Sequence, residues 1–521
     1  MNLAPAFDCI VVGAGHNGLV CANYLARGGR RVLVLEAADQ VGGAAVTHEF
    51  APGFRVSTGA HLLHALPHAL VDELGLGSHG LRFAAEDIAT VALSPDGAAL
   101  RLTPAGLASS QASGERQAYV DLMARMQRFA QALAPLLGTA PPRLGTGSRA
   151  DQWALVRLGW QIRRLGRRDM RELLRIGGMC VYDLLQEHFS SPLLQGALGL
   201  DAVLGTNFGP RAPGTVFTWL YRLASAAHAQ RAAQAVPAGG MGALSEALAS
   251  AARAAGVTIR TGAAVRRIQV ENDRVAGVLL DSGETLSARL VVSNADPQTT
   301  FLILLGSEHL DTGFVRRVVH LRASGLAAKL HLALDGLPAF RGVDGDALGD
   351  RLLIAPSLDY LERAFNPSKY GELPLAPSME ITLPTVRDPQ LAPSGAHVLS
   401  AIVQYVPYQP REGWPHVRAE LIDRLIECIA EYAPGLRRMI VGAELLTPLD
   451  LEQRFRTSGG HWHHGELALD QFLMVRPVPG ASQYATPLPG LFLCGAGAHP
   501  GGGIMGAAGR NAARRILAEA A

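Results

Sequence analysis

Cysteine is scarce in this sequence of 521 residues. The five present, Cys9, Cys21, Cys180, Cys428 and Cys494, are scattered and form no C-x-x-C pair, which excludes a sequence-local redox disulfide or zinc knuckle and reads as buried thiols in a reducing compartment. Long apolar runs are missing too, because Arg, Gly or Pro interrupts every candidate before the ~20 residues that a bilayer-spanning helix needs. There is no excess charge of one sign. With 47 basic and 45 acidic side chains the net charge is +2, so the chain carries no field of the kind that captures nucleic acid. Met1 to Phe7 hold no basic region followed by an apolar stretch of signal-peptide length, so a cytoplasmic location is expected. What is present is 48% hydrophobic and 18% charged, with 58 Gly and 31 Pro, the make-up of a globular enzyme with an ample core.

The chain opens on an apolar strand (DCIVV), a Gly-punctuated turn, a helix from about His16 to Arg27 and a second apolar strand (RVLVLE), which is a βαβ start. A helix is expected from about Glu115 to Leu137, followed by a Pro-Gly-Ser-rich loop near residues 139 to 148. From Gly256 to Asn294 short apolar strands alternate with the turns ENDR and DSGE, a small β-meander that returns to an apolar strand. The last residues repeat the opening logic with a strand (GLFLCG), a Gly-rich loop and a helix from about Gly506. Beginning, middle and end therefore read as one discontinuous α/β domain, residues 1–75, 234–300 and 485–521. Residues 76–233 and 301–484 are expected to form a second, mixed α+β domain that encloses a substrate.

In VVGAGHNG the residues Gly13, Gly15 and Gly18 make G-x-G-x-x-G between a strand and a helix, with Asn17 inside the turn. Gly13 permits the tight turn, Gly15 lets the backbone approach a pyrophosphate, and Gly18 allows close helix packing. The helix N-terminus then offers free N–H groups and a partial positive charge of ~0.5 to phosphates. Glu36, ending the second strand, stands where the acid that takes ribose hydroxyls is expected, and it disfavours a 2′-phosphate. NAD and FAD both remain open at this level. Downstream, Gly42, Gly43 and Ala44 follow in AADQVGGAAVT, and the Gly pair could let backbone amides reach a diphosphate.

That Gly pair is where the sequence resembles the FAD-dependent amine oxidase and phytoene desaturase superfamily, and the resemblance covers almost the whole chain. The segments VPAGGMGALSEALASAARAAG and SNADPQTTF resemble the family's approach to the adenine-side strand, here near Val265, and its return to the nucleotide domain. The strings SGGHWHHGELALDQFLMVRPVP and GLFLCGAGAHPGGGIMGAAGRNAA are most similar to the group named pyridine nucleotide-disulfide oxidoreductase domain-containing protein two, and nearly as similar to desaturase-like carotenoid ketolases. The resemblance implies a Rossmann-like FAD-binding domain of the glutathione reductase or amine oxidase type. The chain departs from amine oxidases in carrying Ala44 where they have Arg, and from disulfide reductases in lacking a redox dithiol. In the closing motif Gly495 and Gly503 are expected to approach the flavin, with a helix starting near Met505 aimed at its pyrimidine edge. Gly501, Gly503 and Gly506 also match G-x-G-x-x-G, yet no acid or further strand follows, so no second nucleotide site is expected and oxygen or a quinone is the expected electron acceptor.

Flavin carries hydride chemistry itself, so few acid-base residues are required. His461, His463 and His464 invite a metal reading, but no carboxylate or cysteine frame accompanies them. The resemblance instead places His464 near the flavin, as a proton-transfer or orienting residue or as a hydrogen-bonded structural one. His61 and His64 either face the cavity or are helix-surface or capped core histidines, and His499 is expected to shape its loop. The segment DQWALVRLGWQIRRLGRRDMRELLRI interleaves seven arginines with Trp153 and Trp160. It reads either as a peripheral membrane contact or as an amphipathic helix whose apolar face is core. The expected activity is FAD-dependent dehydrogenation or desaturation of an apolar small molecule, by the resemblance a carotenoid or isoprenoid. The alternatives are an amine or alcohol oxidase and a flavin-binding regulatory protein without turnover.

Overall fold

The run CIVV forms strand Cys9–Val12, which is buried along its whole length, as is its neighbour Val32–Leu35. A strand covered on both faces has no polar side to show, which is why these segments read as continuous rather than alternating apolar runs. In this computed structural model, which describes residues 6–108, 114–143, 148–231 and 233–519, the two pair in parallel within a five-stranded sheet. Its order is Thr258–Arg260, Val32–Leu35, Cys9–Val12, Leu290–Ser293, Leu491–Leu493. Every pairing in it is parallel. The α/β class and the discontinuous build expected from the sequence are therefore what the fold shows.

Three helices lie over this sheet: His16–Arg27, Met241–Ala254 and Ala507–Glu519. The first is tied to the second by Asn23, whose amide donates to the carbonyls of Leu19 and Leu248. Gly509 lets the last helix press on the first, for a Cβ there would stand 2.1 Å from the carbonyl oxygen of Asn17. The meander also forms. Strands Val265–Glu271, Arg274–Leu280 and Thr285–Ser287 are antiparallel, and Asn272 and Asp273 in the first turn both take positive φ, as a type I′ hairpin requires.

The second body is built on an eight-stranded sheet, ordered Ile440–Leu446, Ala327–Leu334, His397–Gln404, Met379–Thr382, Arg351–Ile354, Thr90–Ala92, Leu100–Thr103, Gly106–Leu107. Successive side chains alternate between faces. One face carries Leu330, Leu332, Leu352, Ile354, Met379, Ile381, Leu399 and Val403, packed under helix Trp414–Tyr432. The other face carries Lys329, His331, Arg351, Glu380, Thr382, Ser400 and Gln404, all of them buried. In most half-covered sheets the polar face meets water. Here it is turned inward.

Four local expectations need correction. The terminal helix begins at Ala507 rather than near Met505, because residues 501–506 are held in a loop with Gly501, Gly503 and Gly506 at positive φ. The arginine-rich stretch is two helices, Arg149–Arg164 and Gly166–Ile176, parted at Gly166 with φ +81°. Its tryptophans are exposed rather than in the core. Of the cysteines expected to be buried thiols, Cys9, Cys21 and Cys494 are buried and free, but Cys180 and Cys428 are only half-buried. The expected helix near Glu115–Leu137 is present as Arg116–Leu137. Residues 139–143 and 148 of the expected loop are irregular, and 144–147 lie outside the described residues.

Candidate active site

A cavity of about 1240 Å³ runs from Glu36 and Asp39, over the parallel sheet, to the polar face of the large sheet. That exceeds the ~300–1,000 Å³ that holds one drug-sized ligand, so a dinucleotide and a second molecule fit together. Its near end is backbone. Gly13, with φ +95°, closes the turn, and Gly15, Asn17, Gly42, Gly43 and Ala44 line the wall. Gly15 and Gly42 bridge each other, with Gly42 N donating to the Ala14 carbonyl at 2.9 Å. A Cβ on Gly15 would come within 2.7 Å of the Asn294 amide, and one on Gly18 within 2.2 Å of the Gly13 carbonyl. Gly18 itself stays behind the wall. Helix His16–Arg27 has no side-chain cap, so its first N–H groups are open to an anion. The Glu36 carboxylate accepts from Ala14 N (2.6 Å) and Ala38 N (3.0 Å) at the cavity wall, and Val265 lines the wall beside it. Asn17 Oδ1 is buried with no protein partner, an acceptor that a bound ligand would satisfy. Backbone donors, a ribose-side acid and this orphan acceptor together suit a dinucleotide.

The middle of the cavity is lined by His16, His463, His464, Gly502, Gly503 and Tyr221. Tyr221 donates to the Gly502 carbonyl at 2.7 Å, and the His16 ring nitrogen lies 3.2 Å from the Gly503 carbonyl. Arg476 is buried behind this wall and donates to the carbonyls of His463 (2.7 Å), Glu466 (2.9 Å) and Ala496 (2.9 Å), stapling the 461–471 loop to the loop that follows the last strand. His463 Nδ1 and His464 Nδ1 are buried without a protein partner. Burial lowers the His464 pKa to about 4 and pushes that of His463 well down. Both rings are therefore neutral near pH 7 and keep a lone pair. Among the described residues no three His, Cys, Asp or Glu side chains are arranged to hold a metal.

The far end is ionic. His61 Nε2 lies 2.8 Å from Glu380 Oε1, and its Nδ1 lies 2.9 Å from Lys329 Nζ. Arg351 reaches both Glu380 and Asp201, the latter at 2.7 Å, and Arg222 stands 3.5 Å from Asp201. Burial alone would raise the Glu380 pKa, but Arg351 and His61 outweigh it and hold it well below the carboxylate range. Burial, seconded by Lys329, takes His61 to about 4, and burial with Arg222 nearby takes His64 to about 3. Burial also brings Lys329 down to about 7.

Of the residues singled out in the sequence, the fold thus brings Gly13, Gly15, Asn17, Glu36, Gly42, Gly43, Ala44, Val265, His464 and Gly503 to one cavity. His61 and His64, in a loop rather than on a helix, join them. Two expectations fail. Gly495 is packed under the wall, where a Cβ would stand 2.5 Å from the Asn294 carbonyl, and Met505 is buried with Ala65, Tyr221 and Phe472 instead of facing the cavity. His499 does shape its loop, its ring nitrogen lying 2.8 Å from the Leu136 carbonyl. Sequence reading missed Lys329, Arg351, Glu380, Asp201, Arg222 and Tyr221. For Lys329, Arg351 and Glu380 the one signal was a polar residue set among the apolar residues of a strand, whereas Asp201, Arg222 and Tyr221 stand on helices and had none.

Residues 18–517 match the family model described as flavin containing amine oxidoreductase. The chain is 36% identical over 99% of its length to rat (Rattus norvegicus) pyridine nucleotide-disulfide oxidoreductase domain-containing protein 2, of which it covers 94%. It is 28% identical to one of the limonene dehydrogenase polypeptides of Castellaniella defragrans, with 99% of this chain and 95% of that one aligned. Among solved structures, cyclohexylamine oxidase from Brevibacterium oxydans superposes with a TM-score of 0.59 at 17% identity, covering 99% of this chain and all of the other, a likeness of fold. The cradle and the ionic end thus sit in an FAD-dependent oxidoreductase, and the chain belongs to the flavin-containing amine oxidoreductase family.

Proposed function

We propose that the protein oxidises a carbon bearing an N–H or O–H group on a small, otherwise apolar molecule, an amine or alcohol. The observation that carries this reading is the polar lining of the cavity from its middle to its far end, which includes His64, His463, His464, Asp201 and Arg222. A substrate that is only hydrocarbon would leave the His64, His463 and His464 rings and the Asp201–Arg222 pair against apolar surface, which costs free energy for every polar group left unpaired. A substrate N–H or O–H supplies the missing partner. Leu62, Leu204, Ile402 and Leu467 line the same space and suit its apolar body.

In this reading Gly13, Gly15, Asn17, Glu36, Gly42, Gly43, Ala44, Val265 and Gly503 hold FAD, which when bound supplies the hydride acceptor. His464 accepts the hydrogen bond of the substrate N–H or O–H and takes the proton as the carbon is oxidised. Arg476 holds the His464 loop in register. Leu467 and Trp462 exclude water from the reacting carbon. Oxygen or a quinone is the proposed final acceptor.

A second reading, desaturation of an isoprenoid hydrocarbon, draws support from the apolar lining and from the full-length similarity to a polypeptide named for limonene dehydrogenase. Anaerobic mixing of the holoprotein with alkyl amines, alcohols and isoprenoid hydrocarbons, read as bleaching of flavin absorbance, separates the two. Bleaching by amines or alcohols, with peroxide released in air, is expected. Bleaching by hydrocarbons alone overturns the first reading, and none by any class leaves a flavin-binding protein without turnover.

A further inference from the structure

We propose that the pair of consecutive helices Arg149–Arg164 and Gly166–Ile176 is a docking surface for an anionic lipid membrane. The pair stands apart from the cavity, and the inference does not depend on which substrate is oxidised. On the first helix Trp153, Val156, Arg157, Trp160, Arg163 and Arg164 recur at spacings of three and four, which places them on one face. That face is turned to solvent, with Trp153 70%, Val156 58% and Trp160 64% exposed, and Leu174 on the second helix is 72% exposed. Leu155, Leu158 and Ile162 on the opposite side are half-buried, so the outward tryptophans are not the overflow of an unpacked helix.

The charge is as uneven as the burial. Residues 149–176 hold eight arginines against three acids, although the whole chain has a net charge of only +2. One of those arginines, Arg175, is already paired, with Glu172 and Glu187. Arg157, Arg163, Arg164, Arg167, Arg168 and Arg171 make no ion pair among the described residues, and the last three line one shallow surface hollow with Arg175.

The pattern discriminates among occupants. A second copy placed face to face would set this positive patch against itself. A nucleic acid or acidic protein would neutralise the arginines and leave Val156 and Leu174 without an apolar phase. A lipid headgroup layer serves both, because the guanidinium groups meet phosphates while Trp and Leu enter the acyl boundary. No helix among the described residues is long and apolar enough to cross a membrane, so the contact is peripheral.

The test is flotation of flavin-loaded protein with vesicles of phosphatidylcholine and of phosphatidylcholine mixed with phosphatidylglycerol. Wild type is expected to float with the anionic vesicles only, and less so as salt is raised. Arg163→Gln/Arg164→Gln/Arg167→Gln is expected to partition roughly a hundredfold more weakly. Trp153→Ala/Trp160→Ala is expected to lose flotation while keeping its flavin, which verifies its fold. Equal flotation on both vesicle types, none on either, or unchanged flotation of both variants overturns the proposal. So does a lipid-free dimer, seen by light scattering, that the tryptophan variant abolishes.

Discussion

The two ends of the cavity are built of different materials. At the cradle the wall is main chain: glycines bring N–H groups and carbonyls to the surface, and apart from Glu36 and Asn17 few side chains act. At the far end the wall is charged: Glu380, Asp201 and Arg222 line it, with Lys329 and Arg351 buried behind them, the set gathered from three strands and two helices. A backbone cradle tolerates no added atom but holds little electrostatic energy. A buried ionic cluster tolerates atoms but not the loss of one partner, because the charge left behind cannot be rehydrated.

That contrast predicts where substitutions do most harm. Arg351→Met removes the cation shared by Asp201 and Glu380, and breaking such a buried set costs about 3–5 kcal/mol. The expected result is the largest fall in melting temperature of any variant discussed, with flavin retained below the transition. Adding Glu380→Gln should recover part of the loss, and a single variant that melts like wild type would break the contrast. Gly18→Ala comes next. Its Cβ meets the Gly13 carbonyl, which is backbone and cannot swing away, and overpacking of this kind costs about 1–3 kcal/mol. Here the expected signature is reversed, with a modest drop in melting temperature but a clear loss of flavin absorbance per chain after purification.

Lys329 sharpens the comparison through pH rather than through a lost contact. Its ordinary value of 10.5 is brought by burial to about 7. Between those values the unfolded chain holds a proton that the folded chain has released, so this group makes stability rise with pH across the window and fall again as pH drops through 7. Lys329→Met removes that contribution. Wild type should therefore gain in melting temperature relative to the variant from pH 7 to pH 10, and a constant offset would show that Lys329 stays charged.

The same contrast explains what could be read from the chain. Gly13, Gly15, Gly18 and Glu36 are close in sequence and keep a fixed spacing because one βαβ unit imposes it, so the cradle was legible. Gly495 and Met505 were misplaced because an irregular glycine-rich loop does not say which of its residues face inward. Lys329, Arg351 and Glu380 lie on separate strands, and alternation as in AKLHLAL is the pattern of a sheet with one wet face. Only the packing of that face towards the cavity shows that it is buried and charged rather than wet. For Trp153 and Trp160 the period was visible, but a period states that residues share a face and not what the face meets.

The smallest expected effect lies where the two ends join. Tyr221 donates to the Gly502 carbonyl, and burial pushes its hydroxyl up to about 12, so it remains a donor at any working pH. Tyr221→Phe keeps the ring, which packs edge-on against Phe472 at 5.5 Å, and deletes only the donor. A hydrogen bond of this sort contributes about 1 kcal/mol. The melting temperature should barely move. Gly502 and Gly503 belong to the loop on the flavin side, however, so release of flavin, followed by its fluorescence on dilution, should quicken several-fold. A large thermal loss with unchanged release would place Tyr221 with the ionic cluster, and the loop would then be held by the substrate side instead of by the cradle.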